Sequence, residues 1–460
     1  MLQYQSAMFE SINPATGQVL GQHPAMSADV LAAALEEAGT TAMAWARVDV
    51  SVRASMLENV ASLLEAKREE FARLITQEVG KPLAEARAEL DKCALLCRYY
   101  AANALAFLAD ESIEASARES LLSYQPLGVV LGIMPWNFPF WQVFRFAVPV
   151  LAAGNTALLK HAPNVCGCAL AIEAVFIEAG YPEGILRALL IEIDQVESVI
   201  QHEAVQGVAL TGSDRAGSAV AAIAGRAIKK TVLELGGSDP YLICEDADLD
   251  LAAKKCVQSR LNNCGQTCIS AKRLLVHQAV LEPFTEKLIA EIQKRQQGNP
   301  EDESNNLGPM ARADLRQNLQ RQVDASVAAG ARVLLGGEVP EGPGYYYPPS
   351  VLADVRPGMP AFDEEVFGPV VALVSVENDG QAIELANQSV YGLGAGVFTQ
   401  DVERGKRLAR QLECGACFIN DFVKSDPRLP FGGIKHSGYG RELSKWGIRE
   451  FVNVKTICVG

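Results

Sequence analysis

One cysteine in this chain has neighbours that suit a reactive thiol. Cys268 ends the run NCGQTC, whose polar residues would be unusual around a buried structural thiol. A cysteine nucleophile reacts as its thiolate at a partly exposed position, and Gly265 allows the backbone to approach a substrate closely. The alternative is an inert packed thiol, which is common among cysteines.

A glutamate upstream could act as a base. Glu234 stands between two leucines in the run LELGG, where the pattern indicates the end of a strand. Apolar surroundings raise the pKa of a carboxyl group, which can then serve as a general base near neutral pH. The alternative is a strand glutamate that faces water.

Three further segments could bind an oxyanion or a phosphate. Two prolines in MPWNFP fix the backbone around Asn137, whose amide could donate to a developing oxyanion; the alternative is a rigid aromatic turn. Lys160 ends the run ALLK and would be a cation at the carboxyl end of a parallel strand, where such sheets bind ligands. Gly212 and Ser213 follow a predicted strand and open a helix, so backbone amides there could receive a phosphate.

The elements that must position these residues form two series after a helical start. Apolar residues at helical spacing predict that the first hundred residues are helical, with helices at 30–46, 53–67, 69–79 and 83–108. From about residue 120, alternating strands and helices imply a parallel sheet, with strands at 129–134, 157–160 and 205–211 and helices from 166 and 215. The second series has helices at 249–261 and 280–296 and strands at 274–277, 370–376, 395–398 and 416–420. A terminal strand at 451–458 lies apart, a position typical of pairing with another subunit.

Composition excludes several classes of protein. The 460 residues are 49% apolar and 21% charged, which is typical of a soluble globular chain with more than one core. A net charge of −14 argues against nucleic acid or an anionic membrane as partner. The sequence has no apolar run of membrane length and no signal peptide, and its eleven cysteines suggest reduced thiols, so we expect a cytoplasmic protein. The CxxC pair Cys414 and Cys417 is interpreted as packed thiols, and no metal is expected.

Taken in order, these segments resemble the aldehyde dehydrogenase superfamily. The series PWNFP, Lys160, TGS, LELGG, GQTC, EEVFGP and PFGGIK covers essentially the whole chain. The resemblance implies an α/β fold with a Rossmann-like cofactor domain, a related catalytic domain and a small β oligomerisation flap. It divides the chain into a cofactor domain (1–114 and 127–235), a catalytic domain (236–428) and oligomerisation segments (115–126 and 429–460), with a homodimer or homotetramer expected. The flap would pair the hairpin near 115–126 with the last residues.

The resemblance also assigns roles to the reactive residues. Cys268 would attack an aldehyde to form a thiohemiacetal, with the oxyanion held by the Asn137 amide and the Cys268 backbone N–H. Glu234 would activate the water that hydrolyses the thioester. Relatives that transfer the acyl group to coenzyme A generally lack this glutamate, so the expected product is the free acid.

A nicotinamide cofactor is implied by the same resemblance. The matching cofactor positions are Pro135, Trp136, Lys160, Pro163, Gly212, Ser213, Glu365 and Phe367. Many NAD-preferring relatives carry an acidic residue at the position of Pro163, where it repels a 2′-phosphate. Glu192 and Asp194 lie elsewhere and cannot be assumed to replace it. NADP therefore remains open, and we expect NAD with NADP tolerated.

One arginine bears on the substrate. Arg145 lies four residues after Trp141 on one face of a predicted helix, among apolar neighbours where an unpaired charge is costly. It could pair with a carboxylate of the protein or hold a substrate carboxylate bidentately. The segment resembles the succinate semialdehyde dehydrogenase branch, in which Trp141 would line the pocket and Ser425 would assist. Asn262 stands where some relatives of that branch carry a second arginine.

Other functions stay open. Glutarate semialdehyde is the alternative substrate, and a catalytically silent binding homologue or a thiol-disulfide oxidoreductase built on Cys414 and Cys417 are alternatives of other classes. Cys264, four residues before Cys268, is a small loop residue or a candidate redox partner that forms a reversible disulfide.

Overall fold

A computed structural model describes residues 8–460. The helices are α1 (Ala28–Trp45), α2 (Val50–Ala66), α3 (Arg68–Val79), α4 (Leu83–Phe107), α5 (Trp141–Ala152), α6 (Cys166–Glu178), α7 (Val196–Gln201), α8 (Asp214–Arg226), α9 (Leu249–Leu261), α10 (Leu281–Ile292), α11 (Ala313–Ala328), α12 (Pro360–Asp363), α13 (Asp379–Asn387), α14 (Val402–Ala409) and α15 (Ser444–Ile448). The predicted helices are all present, and only the one predicted at 280–296 ends several residues early, at Ile292.

The strands follow the two series expected from the sequence. They are β1 (Met8–Ile12), β2 (Val19–Pro24), β3 (Glu111–Ser112), β4 (Glu119–Pro126), β5 (Val129–Met134), β6 (Thr156–His161), β7 (Leu186–Ala188), β8 (Val205–Thr211), β9 (Lys230–Glu234), β10 (Pro240–Ile243), β11 (Arg273–His277), β12 (Arg332–Leu335), β13 (Ser350–Ala353), β14 (Val370–Val376), β15 (Tyr391–Gly392), β16 (Gly394–Phe398), β17 (Ala416–Ile419), β18 (Ile434–Lys435), β19 (Gly438–Tyr439) and β20 (Val452–Val459).

The first large sheet has the order β19-β9-β8-β5-β6-β7. All its neighbours run parallel except β19, which is antiparallel to β9. The chain passes from β5 outward to β6 and β7, then returns to the other side of β5 for β8 and β9. The strand order therefore reverses between β5 and β8, and ligands bind at the carboxyl edge beside such a reversal.

The second large sheet has the order β12-β13-β14-β11-β10-β16-β17. Its strands are parallel except for β12, which is antiparallel to β13. Each large sheet packs buried side chains against helices, which is why these strands are nearly continuous apolar runs. The α/β fold predicted from the alternation of elements is confirmed.

A small sheet pairs the end of the chain with an earlier strand. β20 lies antiparallel to β4 from Val452 opposite Pro126 to Val459 opposite Glu119, and β3 covers the other edge of β4. The pairing expected between the segment near 115–126 and the last residues is therefore present within one chain. β20 is an edge strand of this sheet and is exposed along most of its length.

The prediction that the first hundred residues are purely helical is wrong at their start. β1 and β2 form an antiparallel hairpin around the turn at 13–17, which a bond from the Gly17 N–H to the Asn13 carbonyl closes. Most hairpin residues are partly or fully exposed, so they lack the apolar alternation by which half-buried strands are recognised. Among residues 8–460, no helix is both long enough and apolar enough to span a bilayer.

A buried carboxylate joins α4 to α5. Glu89 accepts hydrogen bonds from the backbone N–H groups of Phe140 and Trp141, each at 2.9 Å, and thereby satisfies two donors at the start of α5. The same carboxylate pairs with the buried Lys81 ammonium at 2.6 Å. Because α5 carries Trp141 and Arg145, Glu89 fixes the helix that presents both side chains.

Replacing Glu89 by glutamine should destabilise the protein strongly. The amide keeps an acceptor oxygen, but Lys81 then remains buried without its counter-ion, a loss of about 3–5 kcal/mol in the free energy of unfolding. Glu65→Gln, which breaks an exposed pair with Arg98, is the matched control and should cost about 0–1 kcal/mol. Equal denaturation midpoints for the two variants would contradict this role of Glu89.

Candidate active site

Four strands of the first sheet bring the predicted residues to one edge. In register, Ile133 of β5 lies beside Lys160 of β6, and Thr211 of β8 beside Glu234 of β9. Asn137 follows β5 directly. Segments that are distant in sequence therefore meet at the carboxyl edge, where the strand order reverses.

Cys268 lies just before β11 of the second large sheet and faces this edge of the first sheet. It lines a cavity of about 210 Å³ together with Trp141, Arg145 and Ser425. Cys268 is partly exposed, as a nucleophile requires, whereas Trp141 and Arg145 are buried. The cavity therefore gathers the candidate nucleophile and all three predicted substrate residues.

The loop that carries Cys268 is held rigidly. Gly265 has a φ of +73°, and a side chain there would collide with the Gly368 carbonyl, so only glycine fits. The buried Arg260 guanidinium donates to the carbonyls of Val366 at 2.8 Å and Val370 at 2.7 Å and to the Ser270 hydroxyl. These bonds tie the cysteine loop to the EEVFGP loop, and sequence reasoning missed Arg260.

The Cys268 thiol is protonated at neutral pH in this state. Burial raises the pKa of Cys268 to about 12, although the positive charges of Arg145 and Lys272 oppose that shift. Attack on a carbonyl carbon therefore requires that the thiol first lose its proton.

Glu234 is a buried carboxylate at the same sheet edge and the candidate base for activating water. It ends β9 and is 2% exposed, so the alternative of a glutamate facing water is wrong. Burial raises the pKa of Glu234, which the charge of Arg145 lowers and that of Glu442 raises. A carboxyl group with a raised pKa is a stronger base than an ordinary glutamate.

The Asn137 side chain is attached to the cysteine loop. Its Nδ2 donates to the Gln266 carbonyl at 3.0 Å, and Asn263 Nδ2 donates to the Asn137 carbonyl at 2.8 Å. An amide has two N–H donors, so one of them is not used by the Gln266 carbonyl.

Arg145 has carboxylate partners within the protein. Its Nε contacts Glu442, and its Nη2 lies 3.9 Å from Glu234 and 3.4 Å from the Thr211 hydroxyl. These contacts match the ion-pair interpretation of Arg145, and its role as a clamp for substrate stays a prediction. Glu442 was missed because the run SGYGRE indicated only a glycine-rich loop.

A lysine that the sequence did not single out completes the cavity wall. Lys92 Nζ donates to the Ser425 hydroxyl at 2.6 Å and lies 4.0 Å from the centre of the Trp141 ring. Glu85, Glu89 and Lys92 lie at i, i+4 and i+7 on α4 and all line the cavity. In the sequence, this wall could have been recognised from charged residues at helical spacing beside an apolar stripe.

The cofactor positions form two groups. Ser213 caps α8 by accepting the Ala216 N–H, and Gly212 beside it leaves the backbone open, as a phosphate site requires. Burial lowers the pKa of Lys160, whereas the nearby Cys166 and Glu192 raise it. Pro163 is exposed and begins a short 3₁₀ turn.

The second group lies beside the cysteine loop. The Trp136 and Phe367 rings meet edge to face at 6.0 Å, and Pro135 precedes Trp136. Glu365 accepts from the Gly237 N–H at 3.0 Å and pairs with Lys272 at 2.9 Å. Lys272, which also donates to the Cys268 carbonyl, was missed by sequence reasoning. A dinucleotide fits these features: the cationic end of β6 at Lys160, the start of α8 capped by Ser213, and the aromatic pair of Trp136 and Phe367.

The other cysteines have different surroundings. All eleven thiols are free. Cys264 is 1% exposed with a φ of +54°, and burial raises the pKa of its thiol. The disulfide between Cys264 and Cys268 stays a prediction. Cys417 lies in β17 and Cys414 two residues before it, and both are partly buried among apolar neighbours.

Two linked α/β units with a cysteine and a buried glutamate near the carboxyl edge of a parallel sheet define the class of protein. The model of the aldehyde dehydrogenase family matches residues 2–457, and the chain belongs to that family. A succinate semialdehyde dehydrogenase of Escherichia coli K12, named for NAD(P)+, is 48% identical over 97% of each chain. A probable NADP+ succinate-semialdehyde dehydrogenase of Synechocystis is 47% identical over 98% of this chain and 99% of that protein.

A solved structure gives the same result. Succinic semialdehyde dehydrogenase from Streptococcus pyogenes in complex with NADP+ superposes with a TM-score of 0.96. That protein is 38% identical to this chain. The match covers 98% of this chain and 99% of the solved one. The superfamily resemblance and the fold inferred from the ordered motifs are confirmed.

The raised pKa of Glu234 should appear as a pH-dependent stability difference. A carboxyl group whose pKa is higher in the folded than in the unfolded state stabilises the fold below its unfolded pKa, and this contribution is lost as pH rises. Glu234→Gln should therefore raise Tm relative to the parent protein more at pH 8 than at pH 5. Glu36→Gln, at an exposed glutamate of α1, should give the same difference at both pH values. A Glu234→Gln difference independent of pH would contradict the raised pKa.

Proposed function

We propose that this protein oxidises succinic semialdehyde to succinate with NAD or NADP. The carrying observation is the cavity in which Cys268 lies with Trp141, Arg145 and Ser425, because it pairs a nucleophile with cationic and polar groups. The printed names of the relatives from Escherichia coli, Synechocystis and Streptococcus pyogenes support the same substrate.

The reaction begins at the Cys268 sulfur. Cys268, which is partly exposed, loses its proton to solvent water and forms a C–S bond to the aldehyde carbon, and the former carbonyl oxygen becomes an oxyanion. The free N–H of the Asn137 amide and the Cys268 backbone N–H stabilise that oxyanion. When bound, the cofactor supplies the acceptor for the hydride that leaves this carbon. Loss of the hydride leaves a thioester on Cys268.

Hydrolysis of the thioester is the second half of the reaction. Glu234 accepts a proton from water, whose oxygen attacks the thioester carbon, and the C–S bond breaks to release the free acid. The Cys268 sulfur then takes up the proton from Glu234, which restores the thiol and the carboxylate. Arg145, between Glu234 and Glu442, stabilises the carboxylate form of Glu234. A buried base with a raised pKa supports hydrolysis over transfer of the acyl group.

The proposed cofactor site uses the two groups of residues at the sheet edge. Lys160 and Ser213 would bind the ribose and pyrophosphate, and Glu365 and Phe367 would position the nicotinamide end. Pro163 supplies no charge against a 2′-phosphate, whereas Glu192 lies close enough to act on Lys160. The names of the relatives weigh toward NADP, so the lean toward NAD has no support from them.

The proposed domain division places strands β5 to β9 and the second large sheet in different domains. Residues 1–114 and 127–235 form the cofactor domain, 236–428 the catalytic domain, and 115–126 with 429–460 the segments for a homodimer or homotetramer. The exposed edge of β20 supports pairing between subunits. Eleven free thiols support a cytoplasmic location.

Glutarate semialdehyde is the second candidate substrate. It is one methylene longer, and a pocket separates such substrates by about 1–3 kcal/mol. Both aldehydes should therefore turn over, with the shorter one preferred.

A panel of aldehydes assayed with NAD and with NADP tests the proposal. Succinic semialdehyde should exceed butanal in kcat/KM by about 10- to 100-fold, because hydrogen bonds to a charged carboxylate contribute about 1.5–3 kcal/mol. Glutarate semialdehyde serves as the length control, and reduced cofactor is followed by absorbance. Equal kcat/KM for succinic semialdehyde and butanal would overturn the proposed substrate.

A further inference from the structure

The cysteine loop begins with a turn in an uncommon backbone conformation. Asn263, Cys264 and Gly265 follow one another with φ values of +52°, +54° and +73°. Glycine adopts this left-handed region freely and asparagine fairly often, whereas a cysteine is disfavoured there. Such a turn persists only where its surroundings hold it. Cys268 follows directly in the same loop, so the path of the turn determines where the nucleophile lies.

The same turn positions the candidate oxyanion group. Asn263 Nδ2 donates to the Asn137 carbonyl at 2.8 Å, and the Asn263 carbonyl accepts from the backbone N–H and the side-chain amide of Gln266, each at 3.0 Å. The Gln266 carbonyl in turn accepts from the Asn137 side chain at 3.0 Å. Asn263 therefore joins the segment of Cys268 to the segment of Asn137, and a shift of Asn263 would move both.

A carboxylate from outside the loop holds Asn263. Glu85, in the first turn of α4, accepts the Asn263 backbone N–H at 2.9 Å. Asn263 is 1% exposed, and a buried N–H without an acceptor is costly, so this bond favours the observed turn over other paths of the loop. Glu85 is partly buried in the wall of the cavity that Cys268 also lines.

The contact of Glu85 with Asn263 does not depend on a negative charge. Burial raises the pKa of Glu85 to about 7, which the charges of Lys81 and Arg295 and the bond from Asn263 lower and the charge of Glu89 raises. Lys81 is already neutralised by Glu89 at 2.6 Å, so it does not need Glu85 as a counter-ion. A protonated carboxyl group still has an acceptor oxygen, and the bond to Asn263 therefore survives protonation of Glu85.

We propose that Glu85 is a positioning residue, whose bond to the Asn263 N–H fixes the turn at 263–265 and thereby aligns the Cys268 thiol and the Asn137 amide on one carbonyl group. The inference rests on the proposed function, because it concerns formation of the C–S bond in that reaction. Glu85 acts through Asn263 and does not itself recognise the aldehyde.

The first test compares two replacements of similar length. Glu85→Met has no oxygen acceptor, and kcat/KM should fall about 10- to 100-fold, mainly through kcat, because a displacement of about 1 Å at reacting groups costs up to about 100-fold. The fall should be equal for succinic semialdehyde and butanal, since both react with the same thiol. Glu85→Gln keeps an acceptor oxygen and should stay within about threefold of the parent protein. Glu58→Met, at an exposed glutamate of α2, is the matched control and should change neither substrate.

A third replacement separates charge from reach. Glu85→Asp keeps the carboxylate, but its oxygens are one methylene short of the Asn263 N–H. Positioning therefore predicts a larger loss of kcat for Glu85→Asp than for the uncharged Glu85→Gln, whereas a role for the charge predicts the reverse order.

The second test needs neither aldehyde nor cofactor. Hydrogen exchange followed by mass spectrometry reports how often the loop opens. Peptides that cover 262–268 should exchange faster in Glu85→Met and Glu85→Asp than in the parent protein and in Glu85→Gln. Peptides from β14, in the core of the second large sheet, are the internal control and should be unchanged.

The outcomes separate the two proposals. A parent protein that does not oxidise succinic semialdehyde overturns the proposed function, while hydrogen exchange still tests the contact of Glu85 with the loop. Parent rates in Glu85→Met, or a loss confined to one aldehyde, would overturn the role of Glu85 alone. The same conclusion would follow if Glu85→Gln lost more activity than Glu85→Asp, or if exchange at 262–268 were the same in all variants.

Discussion

The contact between Arg145 and Glu442 joins parts of the chain that the rest of the site depends on. Arg145 belongs to α5, Glu442 lies in the segment after β19, and Glu234 at the end of β9 lies within 3.9 Å of the same guanidinium. All three groups are nearly inaccessible to water, so the charge on each depends on the charges of its neighbours. The consequence is that the candidate base is kept in a dry environment and its carboxylate form still has a cation beside it.

The same principle governs the wall formed by α4. Glu89 is buried because Lys81 and the first amides of α5 satisfy it, and that arrangement fixes the helix carrying Arg145. Lys92 lies one turn further along α4 and is the member of this set whose charge the protein leaves unbalanced. The wall formed by α4 therefore combines a paired carboxylate with a lysine held by a hydroxyl and an aromatic ring.

Much of the fold could be predicted from the sequence because its strands and helices have strong periodicity. β5, β8, β14 and α9 have the predicted boundaries, and the series of motifs identified the family. The β1–β2 hairpin could not be predicted in the same way, because its exposed strands lack an apolar pattern.

The candidate site was predictable only in part, for physical reasons. Cys268, Glu234 and Asn137 lie in short runs with recognisable chemistry, and their proximity follows from parallel strands that end at one edge. Glu442, Lys272 and Lys92 were missed because their roles depend on contacts across long sequence separations, such as the 333 residues between Lys92 and Ser425. The helical spacing of charged residues on α4 was visible in the sequence, but the groups that those residues contact were not.

The central claim is that Cys268 carries the acyl group and Glu234 removes it. The most direct measurement is the intact mass of Glu234→Gln mixed with succinic semialdehyde and the cofactor, followed by peptide mapping. Because the variant lacks the base that activates water, the account predicts one acyl group retained as a thioester on Cys268, with cofactor reduced in a single turnover. Full turnover without a retained acyl group, or an acyl group on another residue, would contradict it.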